Sequence, residues 1–274
     1  MPVIDVDGIE LSYERSGDGA PEAAGLEPLL LIMGMSGTQL HWSEPFLDLL
    51  RRDFDVITYD HRGVGLSSRL EGRVSIPQLA EDAAGLLRAL GLASAHVFGM
   101  SMGGMVAQEL VLAHPEMVRT LTLGCTFCGG QGSVFGDESV MRELSDAMGS
   151  GDRARALRAG WEANVGAGLL DDADSYASFL AMADTYSVAV PVVMAQMAAV
   201  MRHDTSVRLP EVTAPTLVLH GTADRMLPVE NGRMIAELIP GARLETFDDV
   251  GHLFFWERPE RTADLLRAHA RVPA

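Results

Sequence analysis

The stretch AHVFGMSMGGMVAQELVLAH, residues 95–114, decides the fold of this chain. Its apolar start is typical of a buried strand, and the apolar run after Gly103 is typical of a helix that ends before Pro115. Between them lies a G-x-S-x-G pattern centred on Ser101. A serine on such a strand-to-helix turn presents its hydroxyl at the end of the strand, in front of a helix N-terminus. The glycines on either side of it indicate backbone that passes too close for a β-carbon.

Strands and helices alternate on both sides of this stretch. Helical patterns separate five apolar runs, and one such helix is capped by Ser75 and ends at Gly91, while the last begins at Pro259. This alternation predicts an α/β fold with a mostly parallel, doubly wound sheet. The five runs lack strict polar alternation, as strands buried on both faces do; they are Leu29–Met33, Val56–Tyr59, His96–Gly99, Thr120–Leu123 and Thr216–His220.

Two segments depart from the alternation. Val3–Val6 and Ile9–Tyr13 flank the turn pair Asp7-Gly8, which predicts a hairpin at the start of the sheet. Residues 127–205 contain no strand-like run and are rich in Ala, Met and Leu at helical spacing. We therefore expect residues 1–126 and 206–274 to form an α/β core, with residues 127–205 inserted as a helical cap over the carboxyl edge of the sheet.

Composition excludes several classes of protein. The 274 residues are 47% hydrophobic and 22% charged, which is typical of a globular chain. A net charge of −17 disfavours nucleic acid and anionic membranes as partners. All 21 basic residues are arginine, so no lysine is present to act as a nucleophile or base. The N-terminus has neither a basic nor an apolar leader segment, and we expect a cytoplasmic protein.

A serine hydroxyl needs a base to take its proton. His252 is the best candidate, because it follows the strand-like run Arg243–Phe247 late in the chain. Asp224, just past the strand-like run that ends at His220, is the candidate acid that would orient the imidazole. The resulting chain order of serine, acid and histidine is the order used by this type of site.

Other acids and histidines have simpler expected roles. His220 lies inside a buried strand run and is expected to be a core residue. Asp60 ends an earlier strand and is expected to anchor the loop that follows. Asp248 and Asp249 stand too close to His252 in sequence to be preferred as its partner, and we expect them to serve the turn.

The oxyanion of a tetrahedral intermediate needs two backbone N–H donors. We expect one from Met102, the residue after the serine. The other is expected from Met35, in the glycine-containing loop after the strand-like run Leu29–Met33.

These residues lie in segments that together resemble the α/β-hydrolase-fold serine hydrolases over nearly the whole chain. The family often has His-Gly in the oxyanion loop, where this chain has Met33-Gly34, so we expect the hydrogen bonding of that loop to differ. The resemblance also implies that residues 59–67 stabilise the loop beside the site and that Arg62 is structural. Within the family the chain is similar to enol-lactonases and to polyketide methylesterases. The segments are LLLIMGMSG, YDHRGVGLSS, FGMSMGGMVAQELVLAHPE, LVLHGTADRMLP and DVGHLFFWERPE.

Methionines surround the predicted catalytic residues and recur in the insertion. We assign Gly34, Met100, Met194 and Met197 to an apolar substrate pocket, because thioethers form an adaptable apolar wall. For Met194 and Met197, which lie in the expected cap, ordinary packing between helices is as good an explanation as a pocket role.

No metal or cofactor is expected. Cys125 and Cys128 form a CxxC that lacks both a second pair and a thioredoxin context, and we expect them to pack as small core residues.

The sequence thus predicts a cofactor-independent serine hydrolase that cleaves a carboxylic ester or lactone of a mainly apolar small molecule. A carbon–carbon-bond hydrolase and a cofactor-free haloperoxidase or perhydrolase would use the same serine site, and remain alternatives. A ligand-binding receptor with slow turnover is an alternative of another class. An exposed cap surface could support a homodimer.

Overall fold

A computed structural model describes residues 1–17, 25–186 and 188–272, so residues 18–24 and 273–274 of the expected core and residue 187 of the expected cap lie outside it. An eight-stranded sheet with helices on both faces forms the centre. The strands are β1 (Val3–Val6), β2 (Ile9–Arg15), β3 (Glu27–Ile32), β4 (Phe54–Tyr59), β5 (Ala95–Met100), β6 (Val118–Gly124), β7 (Thr216–Gly221) and β8 (Arg243–Phe247). The helices are α1 (Glu44–Leu50), α2 (Ile76–Ala89), α3 (Met102–Ala113), α4 (Glu138–Gly149), α5 (Arg153–Asn164), α6 (Ala173–Thr185), α7 (Val190–Val200), α8 (Glu230–Leu238), α9 (Phe254–Glu257) and α10 (Pro259–Ala270).

The strand order is β1-β2-β4-β3-β5-β6-β7-β8. The β1/β2 and β2/β4 pairs are antiparallel, and the remaining neighbours are parallel. Asp7 and Gly8 have φ of 50° and 90°, as the predicted tight hairpin requires. The prediction of a mostly parallel α/β sheet with an antiparallel start is confirmed. Because β3 and β5 to β8 are parallel, their carboxyl ends meet at one edge of the sheet.

Two buried apolar clusters cover the two faces of the sheet. Leu30 and Ile32 of β3 point into a cluster that also includes residues of α2, α3 and α8. Leu29 and Leu31 point into the other cluster, with residues of α1, α9 and α10. Burial on both faces explains why the strand sequence is continuously apolar rather than alternating.

Four helices, α4 to α7, lie between β6 and β7, where the sequence predicted an inserted helical segment. They contact segments that follow parallel strands: Phe179 of α6 packs edge-on against His41, which follows β3, and Trp161 of α5 packs against Trp256 of α9. Within the described ranges no single helix is long and apolar enough to cross a membrane, although α6 and α7 together meet that length across a bend of 107°.

Gln108 of α3 fastens both ends of the inserted segment. Its Nε2 donates to the carbonyl of Phe127, where the segment leaves the core, at 3.2 Å. Its Oε1 accepts from the hydroxyl of Thr205, where the segment returns, at 2.5 Å. The Thr205 N–H also donates to the carbonyl of Cys128 at 2.8 Å, so the two connections lie side by side.

The start of α3 lies against the sheet at a distance that only glycine permits. A β-carbon on Gly103 would lie 2.0 Å from the carbonyl oxygen of Ile32, and one on Gly99 would lie 2.2 Å from the carbonyl oxygen of Gly103. Both neighbours are backbone atoms, which cannot rotate away. The two glycines of the G-x-S-x-G pattern therefore set how closely the helix approaches β3 and β5.

Replacing Gly103 should destabilise the fold. We expect Gly103→Ala to lower the free energy of unfolding by about 3 kcal/mol, because the added methyl group overlaps backbone. Gly149→Ala is the matched control, because a β-carbon there has nothing within 4 Å. Its stability should stay within about 1 kcal/mol of wild type. Urea denaturation of the three proteins measures both values, and a Gly103→Ala protein as stable as wild type would contradict the close-packing argument.

Candidate active site

Ser101 lies on a strained turn between β5 and α3. Its φ and ψ of 56° and −121° are unusual for a residue with a side chain. The turn is held on both sides: the Ser101 N–H donates to the carbonyl of Gly124 at 2.8 Å, and the Ser101 carbonyl accepts from the Thr126 hydroxyl at 2.7 Å. The half-buried serine thus occupies the carboxyl edge of the sheet with its backbone fixed to β6 and the loop that follows it.

His252 and Asp224 come together at the same edge, from the loops after β8 and β7. His252 Nδ1 and Asp224 Oδ2 are 2.7 Å apart. The other carboxylate oxygen accepts from the N–H groups of Met226 and Leu227 at 2.8 and 2.9 Å. The carboxylate is therefore fixed in orientation, and it fixes one ring nitrogen of the histidine in turn.

Asp224 is an ionised carboxylate in a buried place. Burial alone would raise its pKa, but the electrostatic interaction with His252 and hydrogen bonds from His220 and His252 outweigh burial and hold the pKa well below its usual range. Asp224 therefore stays charged at neutral pH, as a residue that stabilises an imidazolium must.

Two further buried residues, His220 and Cys125, lie next to Asp224. His220 is buried as predicted, but its Nε2 also lies 3.4 Å from Asp224 Oδ2 and bonds the carbonyl of Leu227 at 2.7 Å. Potential ligand atoms of Cys125, His220 and Asp224 all lie within 4.8 Å of one another, a spacing that could hold a metal ion. Burial and the charge of Asp224 raise the pKa of the Cys125 thiol well above its usual value, so this thiol is protonated when no metal is bound.

The loop after β3 lies directly against the serine. A β-carbon on Gly34 would lie 3.1 Å from the β-carbon of Ser101. The His61 side chain donates from Nε2 to the carbonyl of Met33 at 3.0 Å, so a histidine from the neighbouring loop supports the Met33-Gly34 turn. Met35, the predicted second donor, follows in this loop and packs against the apolar cluster.

The loop after β4 supports the segment beside the serine, as the resemblance implied for residues 59–67. The Asp60 carboxylate accepts from the N–H of Gln39 at 2.7 Å and so anchors the segment that follows the oxyanion loop. Arg62 forms a two-pronged ion pair with Asp82 of α2, which agrees with its expected structural role.

The loop that carries His252 is clamped by an unpredicted residue, Glu257. Its Oε1 accepts from the N–H of Gly251 at 2.8 Å and from the N–H of Gly166 in the inserted segment at 2.9 Å. On the other side of the histidine, the Leu253 N–H donates to the carbonyl of Asn164 at 2.9 Å. The one available signal in the sequence was a lone acid within the apolar segment LFFWERP.

The methionines assigned to a pocket occupy different surroundings. Met102, assigned to the oxyanion hole and not to the pocket, begins α3, where first-turn N–H groups have no partner within the helix. Met100 belongs to a buried core cluster, and Met194 is 62% exposed, so the pocket assignment gains no support at these two positions. Met197 is half-buried on α7, and its pocket role stays a prediction.

The model of the alpha/beta hydrolase family matches residues 29–265, and the chain belongs to that family. This confirms the resemblance drawn from the sequence. The enol-lactonase from Burkholderia xenovorans LB400 is a structural neighbour with a TM-score of 0.82 and 25% identity, and the match covers 98% of this chain and 99% of that one.

Curated relatives cover several chemistries. A provisionally named carbamate hydrolase from Azorhizobium caulinodans is 30% identical over 272 residues, or 97% of each chain. Rhodomycin D methylesterase from Streptomyces sp. strain C5 is 30% identical over 301 residues, or 99% of each chain. A provisionally named non-heme bromoperoxidase from Mycobacterium tuberculosis is 28% identical over 279 residues, which cover 97% of this chain and 100% of that one.

Removing the Glu257 side chain should loosen the His252 loop. We expect Glu257→Ala to lower the free energy of unfolding by about 2–4 kcal/mol, because it leaves the N–H groups of Gly166 and Gly251 buried without an acceptor. Glu257→Gln is the control, because it keeps an oxygen in place. Urea denaturation measures the effect, and equal losses in the two variants would argue against the acceptor role.

Wild type and Glu257→Gln should also differ in how their stability depends on pH. Burial raises the pKa of Glu257 above its usual 4.5, against the opposing effect of its two N–H donors. The protonated Glu257 side chain therefore contributes to stability at pH values below its usual pKa, and this contribution is lost as pH rises through the raised pKa. Glutamine does not ionise, so Glu257→Gln has no such loss. The unfolding free energy of Glu257→Gln minus that of wild type should therefore increase as pH rises from about 4 to 7. A constant difference across that range would contradict the prediction.

Proposed function

We propose that this protein is a serine hydrolase that cleaves a carboxylic ester or lactone of a mainly apolar small molecule. The observation that carries the proposal is the 2.7 Å bond between His252 and a buried Asp224, at the sheet edge where Ser101 sits on its strained turn. Membership of the alpha/beta hydrolase family supports it. A hydroxyl, an imidazole and a carboxylate are the groups that nucleophilic acyl transfer needs.

In the proposed mechanism, Asp224 holds His252 with Nδ1 protonated, which leaves Nε2 to act as a base. His252 takes the proton of Ser101 as its oxygen attacks the carbonyl carbon. It then returns that proton to the leaving alcohol, and an acyl-enzyme forms. Water, activated by the same histidine, attacks the acyl-enzyme, and Ser101 is released. The scheme uses no metal or cofactor.

We propose the N–H groups of Met35 and Met102 as the oxyanion donors. The Met102 N–H belongs to the first turn of α3, where the helix dipole also favours negative charge. The Met35 N–H lies one residue beyond Gly34, whose closeness to Ser101 supports this assignment. Such donors stabilise charge that develops only as the carbonyl is attacked.

The choice of an ester or lactone rests on the relatives. The methylesterase and the enol-lactonase have names that describe carboxylic ester cleavage. Cofactor-free halogen oxidation is the second candidate, favoured by the similarity to the bromoperoxidase. A carbon–carbon-bond hydrolase and a slow-turnover receptor are outcomes that the following experiment distinguishes from an ester or lactone hydrolase.

A panel of nitrophenyl esters and of aliphatic and aromatic lactones tests the proposed reaction. We expect serine-dependent turnover, abolished in Ser101→Ala and in His252→Ala while both variants remain folded. Turnover that survives either substitution would reject the mechanism. A folded wild-type protein that a serine-reactive phosphonate labels, but that hydrolyses no member of the panel, would reject the ester assignment and favour carbon–carbon cleavage, halogen oxidation or a receptor.

Removing the charge of the proposed acid should cost most of the rate. We expect Asp224→Asn to lower kcat by about 10⁴-fold, because the histidine loses its orienting carboxylate. Asp248→Asn is the matched control, since Asp248 is an exposed acid closer to His252 in sequence. Steady-state kinetics on the best ester compares them. If kcat falls in Asp248→Asn but not in Asp224→Asn, the acid of the site is Asp248 and not Asp224.

A further inference from the structure

A glutamine of the inserted segment touches the loop proposed to hold the oxyanion. Gln196 lies on α7, and its Oε1 accepts from the N–H of Ser36 at 2.9 Å, across 160 residues of sequence. The side chain is 1% exposed. Its Nε2 is buried and has no hydrogen-bond partner within the part of the chain that the structure describes.

The burial of that amide argues for a role beyond packing. An N–H group that is buried without an acceptor is unfavourable, and an apolar side chain of the same size would fill the space without this cost. The neighbouring residues of α7 are apolar, and Ala195 and Ala199 pack into the same cluster as Met35. The bond to Ser36 is therefore the contact that distinguishes glutamine from an apolar residue at this position.

The partner of Gln196 is itself held in a strained conformation. Ser36 has a φ of 58°, in the left-handed region that residues with side chains rarely adopt. On its C-terminal side the turn is closed by a 3.3 Å bond from the Gly37 N–H to the Gly34 carbonyl. The Met35 N–H, which we propose as an oxyanion donor, belongs to the peptide between Gly34 and Met35 in this turn. A hydrogen bond that fixes the Ser36 N–H therefore limits how that peptide can rotate.

We propose that Gln196 is a positioning residue for the oxyanion hole: α7 holds the Met35 donor in its productive orientation through the bond from Gln196 to Ser36. The proposal rests on the proposed serine hydrolysis. It makes the inserted segment part of the transition-state machinery, since a mispositioned donor weakens binding of the oxyanion more than binding of the neutral ester.

The test compares Gln196→Met, which has nearly the same volume but no amide, with wild type and with Val190→Ala. Val190 is on the same helix and 65% exposed. In Gln196→Met we expect kcat to fall roughly 10- to 100-fold with KM changed by less than about threefold. Inhibition by a trifluoromethyl ketone ester analogue, whose adduct carries the oxyanion, should weaken by the same factor as kcat. Val190→Ala should match wild type in all three quantities.

Amide hydrogen exchange on the wild-type protein tests the contact without relying on a variant. The Ser36 amide should exchange far more slowly than an open loop amide, and in Gln196→Met this protection should be lost. Fast exchange at Ser36 in wild type would overturn the proposal, as would a change in KM alone or a kcat loss without the matching loss of inhibitor affinity. Serine-dependent turnover that is equal in wild type and Gln196→Met would reject this role while leaving the hydrolase assignment intact; absence of serine-dependent turnover in wild type would reject both.

Discussion

The close approach of α3 to the sheet is the constraint on which the rest of the site depends. With no side chain at Gly99 and Gly103, the helix begins almost in contact with the backbone of β3 and β5. The chain can then turn sharply enough to place Ser101 between a strand and a helix N-terminus. The loop after β3 is brought against the serine by the same contact, because Ile32, which Gly103 touches, ends β3 only two residues before Gly34.

Two loops of the site are each held from two directions. The loop after β3 is supported from the core by His61 and from the inserted helices by Gln196. The His252 loop is held by Glu257 and by the carbonyl of Asn164, which again belongs to the insertion. In each case one support comes from the parallel sheet core and one from the inserted helices. The geometry of the candidate site is thus a property of both parts of the chain together.

The sequence predicted the features that depend on local pattern. The parallel strands were located to within two residues at each end, because burial on both faces makes them continuously apolar. Ser101, Asp224 and His252 were identified because each follows a strand. Gln196 was not identified, since its partner is 160 residues away and a glutamine in an apolar helix has no pattern of its own. The pocket assignments of Met100 and Met194 relied on residue type, which does not specify the side of a helix or sheet on which a side chain lies.

The way in which Gln108 joins the two ends of the inserted segment bears on how such enzymes diversify. Cys128 and Thr205 are 77 residues apart in sequence, yet they are bonded to each other, and the core side chain of Gln108 bonds both Thr205 and the carbonyl of Phe127, next to Cys128. A segment whose ends leave the core at one point can change in length or be exchanged without stretching the sheet. The insertion therefore resembles a replaceable module, and its replacement would be limited by the few contacts it makes with the loops around Ser36 and His252. Recombination among relatives would succeed where those contacts are carried along with the helices.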